Sequence, residues 1–322
     1  MSFTSTLRHA DPDTARRYPL PVLGEAPWQS GNGAWHLEFT LPELSTGTIL
    51  LPSLAFTPAT ATTGSPAPEA VQRHQWTLSA DAGEWPLQQV PALPGVPHAR
   101  TGTDVSSHID CYHIHRTLAN PVLHLKIEAP EAPDRYLVCI SARTLVVADP
   151  PLPSRHVALA RPPTPRSQMT APQAIATRIC SPTCVSMVLT LWNRPHDWLV
   201  LAEECHDPAS GMYGVWPLAV AAAARRDCIG AVEVFEDWEA PLTVLAAGVP
   251  LVTSIRFFAG ELPGAPLGET HGHLVVVHGA GPQSVLVCDP AAPEGEVSRE
   301  YPADAFSRAW LRHRGAAYIL PS

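Results

Sequence analysis

The chain has 322 residues, more than one typical hydrophobic core accommodates, which predicts two domains. Its formal net charge is −9 and it contains no basic run, which argues against a nucleic-acid partner or an anionic membrane surface. With 36 prolines and only 16% charged residues, the composition favours strands and loops over helical bundles.

The cellular context is predicted from two absences in the sequence. No stretch approaches the roughly 20 apolar residues of a membrane span, so no membrane partner is expected. Residues 1–20 include Asp11 and Asp13 and lack the apolar core of a secretory signal. Seven cysteines, an odd number, in a chain without such a signal predict reduced thiols and a cytoplasmic location.

The first half of the chain is predicted to be all-β. After an irregular lead-in over residues 1–30, short apolar or alternating runs separated by proline and glycine occur at 36–41, 48–56, 76–80, 108–115, 122–129 and 136–142. No stretch of helical period interrupts them, so we predict a sandwich-like domain over residues 1–148. The loop 57–71, rich in Ala, Thr, Ser and Pro, is expected to be mobile.

The second half is predicted to mix helices and strands. Residues 149–165 contain six prolines, which predict an extended linker. Helices are then predicted at 182–193, 217–226 and 240–247, and strands at 250–257, 273–278, 284–288 and 316–320. Helices followed by an antiparallel sheet are the order of an α+β domain, here residues 166–322.

Cys180 stands immediately before the strongest helix pattern. Ser181 followed by Pro182 predicts an N-cap and first helical residue, and apolar residues then recur at helical spacing. A thiol at that position would benefit from the helix dipole, which favours the thiolate and makes it a nucleophile. The competing interpretation is that Cys180 is a small core residue, as most free cysteines are.

A cysteine nucleophile needs a base and a group that orients the base, and a predicted hairpin supplies both. Residues 271–278 and 284–289 read as two strands joined by a five-residue loop with two glycines. A register that pairs His278 with Ser284 also pairs His273 with Asp289, about 5 Å apart on one face. A register slip of one residue would separate them.

An oxyanion formed at Cys180 also needs hydrogen-bond donors. The backbone N–H groups near Cys180 can supply one, and a side-chain amide upstream can supply another. Gln168 and Gln173 are both candidates on position alone.

A series of short motifs occurs in a fixed order across about residues 160–320. The motifs are Arg166-Ser167-Gln168, Cys180-Ser181-Pro182-Thr183, Gly214-Val215-Trp216-Pro217, Gly248-Val249-Pro250, Gly272-His273-Leu274, Asp289-Pro290-Ala291 and Tyr301 through Trp310. In composition and order they resemble the motifs of a known family, the double-glycine leader peptidase-like branch of the papain-like cysteine peptidases. Stand-alone bacterial members of that branch carry a β-rich N-terminal region.

The resemblance implies a role for four residues. Cys180 corresponds to the nucleophile, His273 to the base, Asp289 to the orienting carboxylate and Gln168, rather than Gln173, to the oxyanion donor. Two departures stand out: Cys184 replaces the family's usual Ser, and residues 215–219 replace Asn-Trp-Pro-Phe-Asn. Cys184 is one helical turn beyond Cys180 and is expected to pack rather than react. No transporter segment or nucleotide motif accompanies the match, so peptide export is not implied.

The sequence predicts no metal site at either of two clusters of cysteine and histidine. Cys111, His113 and His115 lie on one strand face, too far apart to converge on one ion. Cys180, Cys184, Cys205 and His206 have poor spacing for zinc.

We therefore predict an α+β fold in which an all-β sandwich-like domain precedes a papain-like cysteine peptidase domain. The predicted activity is hydrolysis of a peptide or amide bond through a cysteine thioester, with a peptide or protein substrate and no cofactor or metal. Two alternatives stay open: acyl or peptidyl transfer from the same thioester, and a binding module that keeps the fold without turnover.

Overall fold

A computed structural model of the chain describes residues 6–57, 73–92 and 97–322. The loop 57–71, predicted to be mobile, lies outside these residues except for Thr57.

The first half of the chain forms two antiparallel sheets of five strands each. The first sheet has the order β1-β10-β4-β8-β7, with β1 at Thr6–Ala10, β4 at Thr48–Thr57, β7 at Val105–Ser107, β8 at Tyr112–Ile114 and β10 at Arg135–Thr144. The second has the order β2-β3-β9-β5-β6, with β2 at Gln29–Gly31, β3 at Ala34–Thr40, β5 at Arg73–Ala80, β6 at Gly83–Pro86 and β9 at Val122–Glu128.

The expectation of an irregular lead-in over residues 1–30 is wrong, because β1, a short helix and β2 all lie there. The helix α1 spans Pro12–Arg17, and the Asp11 carboxylate caps it by accepting from the backbone N–H groups of Asp13 and Thr14. Asp followed by Pro is a helix-start signal, so the sequence contained the evidence for this helix.

Strand β4 is buried on both faces, which explains its continuous apolar run. Leu50 and Leu54 pack in the core between the two sheets of the first half. Ile49 and Leu51, which point the other way, pack in a core shared with the second half of the chain. The first sheet is therefore the middle layer of the molecule.

The second half wraps helices around a seven-stranded antiparallel sheet. The sheet order is β12-β17-β13-β14-β15-β16, and β11 pairs with β14. The strands are β11 at Val157–Ala158, β12 at Ala231–Val234, β13 at Leu251–Phe257, β14 at Thr270–Ala280, β15 at Ser284–Cys288, β16 at Ser298–Pro302 and β17 at Ala316–Ile319. The helices are α2 at Cys180–Leu191, α3 at Trp198–Glu204, α4 at Trp216–Ala224, α5 at Glu239–Ala246 and α6 at Ala303–Leu311.

The proline-rich segment 149–165 follows the surface of this sheet. Its strand β11 pairs Val157 with Ala280 and Ala158 with Gly279, and Leu159 N–H continues the pairing by donating to His278 O. The segment therefore runs beside the hairpin that carries the candidate site.

Buried polar contacts also join the two halves. Arg8, from β1, donates two hydrogen bonds of 2.6 Å to the Glu233 carboxylate in β12, and Tyr18 O–H donates a third of 2.6 Å. Glu233 is fully buried. Arg143, from β10, donates to the backbone oxygens of Phe235 and Leu311. These contacts specify how the halves dock, because each would leave an unsatisfied buried group if the docking changed.

No helix within the described ranges combines the length and apolar character needed to cross a bilayer. All seven cysteines are free thiols.

Candidate active site

Cys180 is the first residue of α2, a helix that is buried along nearly its whole length. Ser181 was predicted as the N-cap, and this is wrong. Ile179 occupies the cap position, and no side chain caps the helix. Ser181 instead lies inside the first turn, where its hydroxyl bonds to Tyr318 Oη at 2.9 Å. Cys180 itself is only partly buried and borders an open cleft. Its position beside the unpaired N–H groups of the first turn favours a thiolate.

His273 and Asp289 lie in contact on the hairpin β14–β15, but the predicted register is wrong. The strands pair Val276 with Cys288 and Val277 with Val287, and the register shifts between Val277 and Gly279. This pairing differs by two residues from the predicted one, so Asp289 lies diagonally from His273. A shift of two keeps both side chains on the same face. Accordingly, His273 Nε2 is 2.7 Å from Asp289 Oδ1.

The Asp289 carboxylate is held by two further donors. Tyr301 O–H, from β16, donates to Oδ2 at 2.7 Å, and Ala291 N–H donates to Oδ1 at 3.0 Å. Asp289 is 1% exposed and His273 3% exposed, so these bonds form away from bulk water. No role for Tyr301 was predicted, because only the pairing of β15 with β16 brings it to Asp289.

The thiol, the imidazole and the carboxylate are electrostatically linked. Burial by itself raises the pKa of Cys180, but the hydrogen bond and charge of His273, with backbone N–H groups of Leu274 and Ser181, bring it below its ordinary value. Burial lowers the pKa of His273, yet the charge and hydrogen bond of Asp289 and the contact with Cys180 raise it to about 10. Burial raises the pKa of Asp289, but His273, Tyr301 and Ala291 lower it overall.

These directions favour a thiolate paired with an imidazolium near neutral pH. Because Nε2 of His273 bonds Asp289, Nδ1 is the ring nitrogen left for proton transfer. The pair can therefore supply both a nucleophile and a proton.

The other cysteines in this half lack these features. Cys184 is fully buried, its thiol donates to Leu274 O at 3.2 Å, and burial raises its pKa well above the ordinary value. Burial likewise raises the pKa of Cys205 to about 12. Cys184 is thus a packing residue.

Gln168 and Gln173 occupy different environments. Gln168 begins a 3-10 turn at Gln168–Thr170 and is 4% exposed, whereas Gln173 is exposed to solvent. The backbone N–H of Gln168 donates to Pro290 O at 2.8 Å, next to Asp289 in the chain. Its Oε1 is buried without a hydrogen-bond partner within the described structure. Unpaired buried polar atoms are rare and call for a functional explanation.

Cys180 opens onto a cleft of about 760 Å³ whose walls come from both halves of the chain. The first half contributes Ile109, Asp110 and Leu145 among others, and the second half contributes Trp216 and Arg314. No motif in the first half pointed to this surface, because the wall forms only when the halves dock.

The side chains of Cys111, His113 and His115 do not gather into one cluster. Cys111 is buried with its sulfur 3.9 Å from His113 Nε2, while His115 Nε2 lies 2.8 Å from the Ser106 hydroxyl. In the parts of the chain that the structure describes, no group of three or more His, Cys, Asp or Glu residues could hold an ion.

A thiol, an imidazole and a carboxylate linked in this order within an α+β domain are the arrangement that cysteine peptidases use. Residues 163–318, just under half of the chain, match the model of the Peptidase_C39 like family. This part of the chain is therefore similar to a family of peptidases.

Two solved structures are similar to this chain. One is a double glycine motif protease from an AMS/PCAT transporter in complex with the leader peptide, 16% identical over 52% of this chain and 99% of that chain, with a TM-score of 0.35. The other is a C39-like peptidase from Bacillus anthracis, 20% identical over 52% of this chain and 98% of that chain, with a TM-score of 0.41. No curated protein matches the chain.

Proposed function

We propose that the protein is a cysteine peptidase or amidase in which Cys180 is the nucleophile, His273 the acid and base, and Asp289 the orienting carboxylate. The observation that carries the proposal is the buried chain of hydrogen bonds from Tyr301 through Asp289 to His273, together with the coupling of His273 to Cys180 that lowers the pKa of the thiol. Each link lowers the cost of forming the thiolate–imidazolium pair, which is the reactive state of such enzymes.

In the first half-reaction the Cys180 thiolate attacks the substrate carbonyl carbon, and the carbonyl oxygen takes the negative charge. The imidazolium of His273 then gives its proton to the leaving nitrogen, the C–N bond breaks and a thioester remains. In the second half-reaction neutral His273 removes a proton from water, and the hydroxide attacks the thioester. The products are a carboxylic acid and the free thiol, with the proton returned to the site.

Gln168 and the backbone N–H of Cys180 are the proposed donors to the oxyanion. The side chain of Gln168 is buried and no internal hydrogen bond holds its Oε1, and the Nε2–H group of the same amide is the proposed donor. The N–H of the first residue of a helix has no intrahelical acceptor and is free for this purpose. Preorganised donors of this kind contribute strongly to acyl transfer.

We further propose that residues 1–148 form an accessory β domain, 149–165 a linker, and 166–322 the papain-like peptidase domain. The contribution of Ile109, Asp110 and Leu145 to the cleft supports a role for the first domain in substrate binding.

The test combines a neutral thiol-reactive electrophile with a peptide library. The electrophile should label the wild-type protein at Cys180 and leave Cys180→Ala unlabelled at that site. Cleavage in water enriched in oxygen-18 should place oxygen-18 in the new carboxyl group, whereas transfer to an added amine would give an amide without oxygen-18. Labelling without any cleavage of the library would favour a binding module and contradict the proposal.

A further inference from the structure

The cleft that contains Cys180 carries a strong positive charge in a protein of net charge −9. Among the described residues that line it are three arginines, Arg178, Arg256 and Arg314, and one carboxylate, Asp110. Arg178 is two residues before the candidate nucleophile. A local potential opposite to the overall charge concentrates ligands of the opposite sign.

Each of these arginines lies over an aromatic ring. The guanidinium carbons of Arg178, Arg256 and Arg314 are 5.4, 5.6 and 5.6 Å from the ring centroids of Tyr213, Phe258 and Trp216, respectively. Stacking covers one face of the guanidinium and restricts the side chain, but it leaves the N–H groups at the edge available. Two N–H groups at such an edge can donate to the two oxygens of one carboxylate.

The three guanidinium groups are not neutralised within the described structure. None of them lies within 4.0 Å of a carboxylate there, although many arginines elsewhere in the chain form ion pairs. Arg178 donates one N–H to Gly211 O, which fixes its position without cancelling its charge.

Asp110 is one carboxylate against three arginines, so it offsets only part of this charge. Burial lowers the pKa of His108, His113 and His313, so these cleft histidines are mainly neutral near pH 7. The three arginines therefore dominate the charge of the cleft.

We propose that the substrate is a peptide that presents carboxylate groups close to the scissile bond, held by Arg178, Arg256 and Arg314. This specificity rests on the proposed peptidase function. The carboxylates come either from Asp and Glu side chains or from a C-terminal carboxyl group, since the arginine edges recognise both. A long polyanion is disfavoured because the remainder of the protein is acidic.

The experiment measures how well matched peptides protect Cys180 from alkylation by neutral iodoacetamide. The probes are acetylated and amidated hexapeptides with Glu at alternate positions, the same peptides with Gln, and the Gln peptides with a free C-terminal carboxylate. The Glu peptide or the free-carboxylate peptide should protect at a concentration about tenfold lower than the amidated Gln peptide. Protection by the Glu peptide would identify recognition of acidic side chains. Protection by the Gln peptide with a free C-terminal carboxylate would identify recognition of the chain terminus.

The cleft variants are Arg178→Gln, Arg256→Gln and Arg314→Gln. The ratio compared is the protecting concentration of the amidated Gln peptide divided by that of the acidic peptide. Each substitution should lower this ratio several-fold. Arg155→Gln removes an exposed arginine outside the cleft and should leave the ratio unchanged. Raising the salt concentration from about 0.05 M to about 0.5 M should also lower the ratio, because screening weakens exposed charge pairs.

A ratio near one in the wild-type protein, or a ratio that survives all three substitutions, would overturn the acidic specificity. The catalytic role of Cys180 is tested separately from the acidic specificity. It is contradicted if iodoacetamide does not react preferentially at Cys180 in the absence of peptide.

Discussion

His273 and Asp289 are joined by a 2.7 Å hydrogen bond although they are not paired residues of their hairpin. Asp289 immediately follows β15, and its carboxylate reaches diagonally to His273 on the same face of β14. The backbone N–H of Asp289 donates to Val297 O at 2.8 Å, and Tyr301 O–H holds the outer oxygen of its carboxylate. The contact is therefore set by the turn after β15 and by β16 as well as by strand pairing.

Cys180 should be the reactive thiol of the chain. Its pKa lies below the ordinary value and it borders the cleft, whereas the Cys184 thiol is buried with a raised pKa. Limited iodoacetamide treatment near pH 6, followed by peptide mapping, should place one label on Cys180. The Cys184→Ser variant serves as the matched control and should label at the same position, while preferential modification of Cys184 or Cys205 would refute the assignment.

Replacement of His273 should be far more damaging than replacement of Asp289. His273→Ala removes the group that moves a proton in both half-reactions, so kcat/KM should fall by several orders of magnitude. Asp289→Asn keeps a hydrogen-bond partner for the ring and should cause a much smaller loss. Steady-state kinetics on a substrate found in the library screen compares the two, and equal inactivation would show that Asp289 does more than orient the ring.

The pH profile of Asp289→Asn should shift in one direction. The carboxylate raises the pKa of His273 to about 10, so the imidazolium is present below that pH and is lost as pH rises through it. Removing the negative charge lowers that pKa, and the alkaline limb of activity should move to lower pH. An alkaline limb that stays in place would mean that His273 does not control it.

Tyr301 should act as a positioning residue. Tyr301→Phe removes the 2.7 Å bond to Asp289 Oδ2, so the carboxylate is less stabilised and its pKa should rise. Activity should fall about tenfold or less, and its acid limb should move to higher pH. The free energy of unfolding should drop by about 1 kcal/mol.

The control for Tyr301 is Tyr136→Phe in the first half of the chain. That change removes a buried hydroxyl that bonds to the Ala26 backbone, at a distance from the candidate site. A similar loss of stability without a shift of the acid limb is expected. If both variants shift the limb equally, Tyr301 has only a structural role.

The ion pair between Arg8 and Glu233 should contribute strongly to docking of the two halves. Arg8→Met leaves the buried Glu233 carboxylate without its cation, which should cost about 3–5 kcal/mol of unfolding free energy. The double variant Arg8→Met, Glu233→Gln should recover most of that loss, since the neutral amide it introduces can still accept a hydrogen bond from Tyr18. Urea denaturation measures both, and a double variant no more stable than Arg8→Met would show that the charge imbalance is not the cause.

Local sequence patterns predicted most regular elements near their observed positions. Strand β15 was predicted at its observed bounds, and in β9 the alternation of Leu123, Leu125 and Ile127 with polar residues corresponds to their burial. These elements follow from the periods of strand and helix, which depend only on neighbouring residues. The missed helix α1 has only six residues, so its apolar periodicity gave a weak signal. Helix α6 is amphipathic and as long as the predicted α4, so its pattern was present in the sequence but was not used.

The sequence by itself placed Cys180 next to the N-terminus of a buried helix. It also placed His273 and Asp289 on one hairpin face, because the face depends on alternation and survives a shift of two residues. Only the tertiary structure decided the register, the choice of Ile179 as N-cap, and the contact of Tyr301 with Asp289. No sequence pattern predicted the cleft that Asp110 from the first half and Arg314 from the second half both line. The contact of Tyr301 with Asp289 crosses between two strands, and the cleft joins both halves of the chain. Their distances are therefore set by packing of the core rather than by any local pattern.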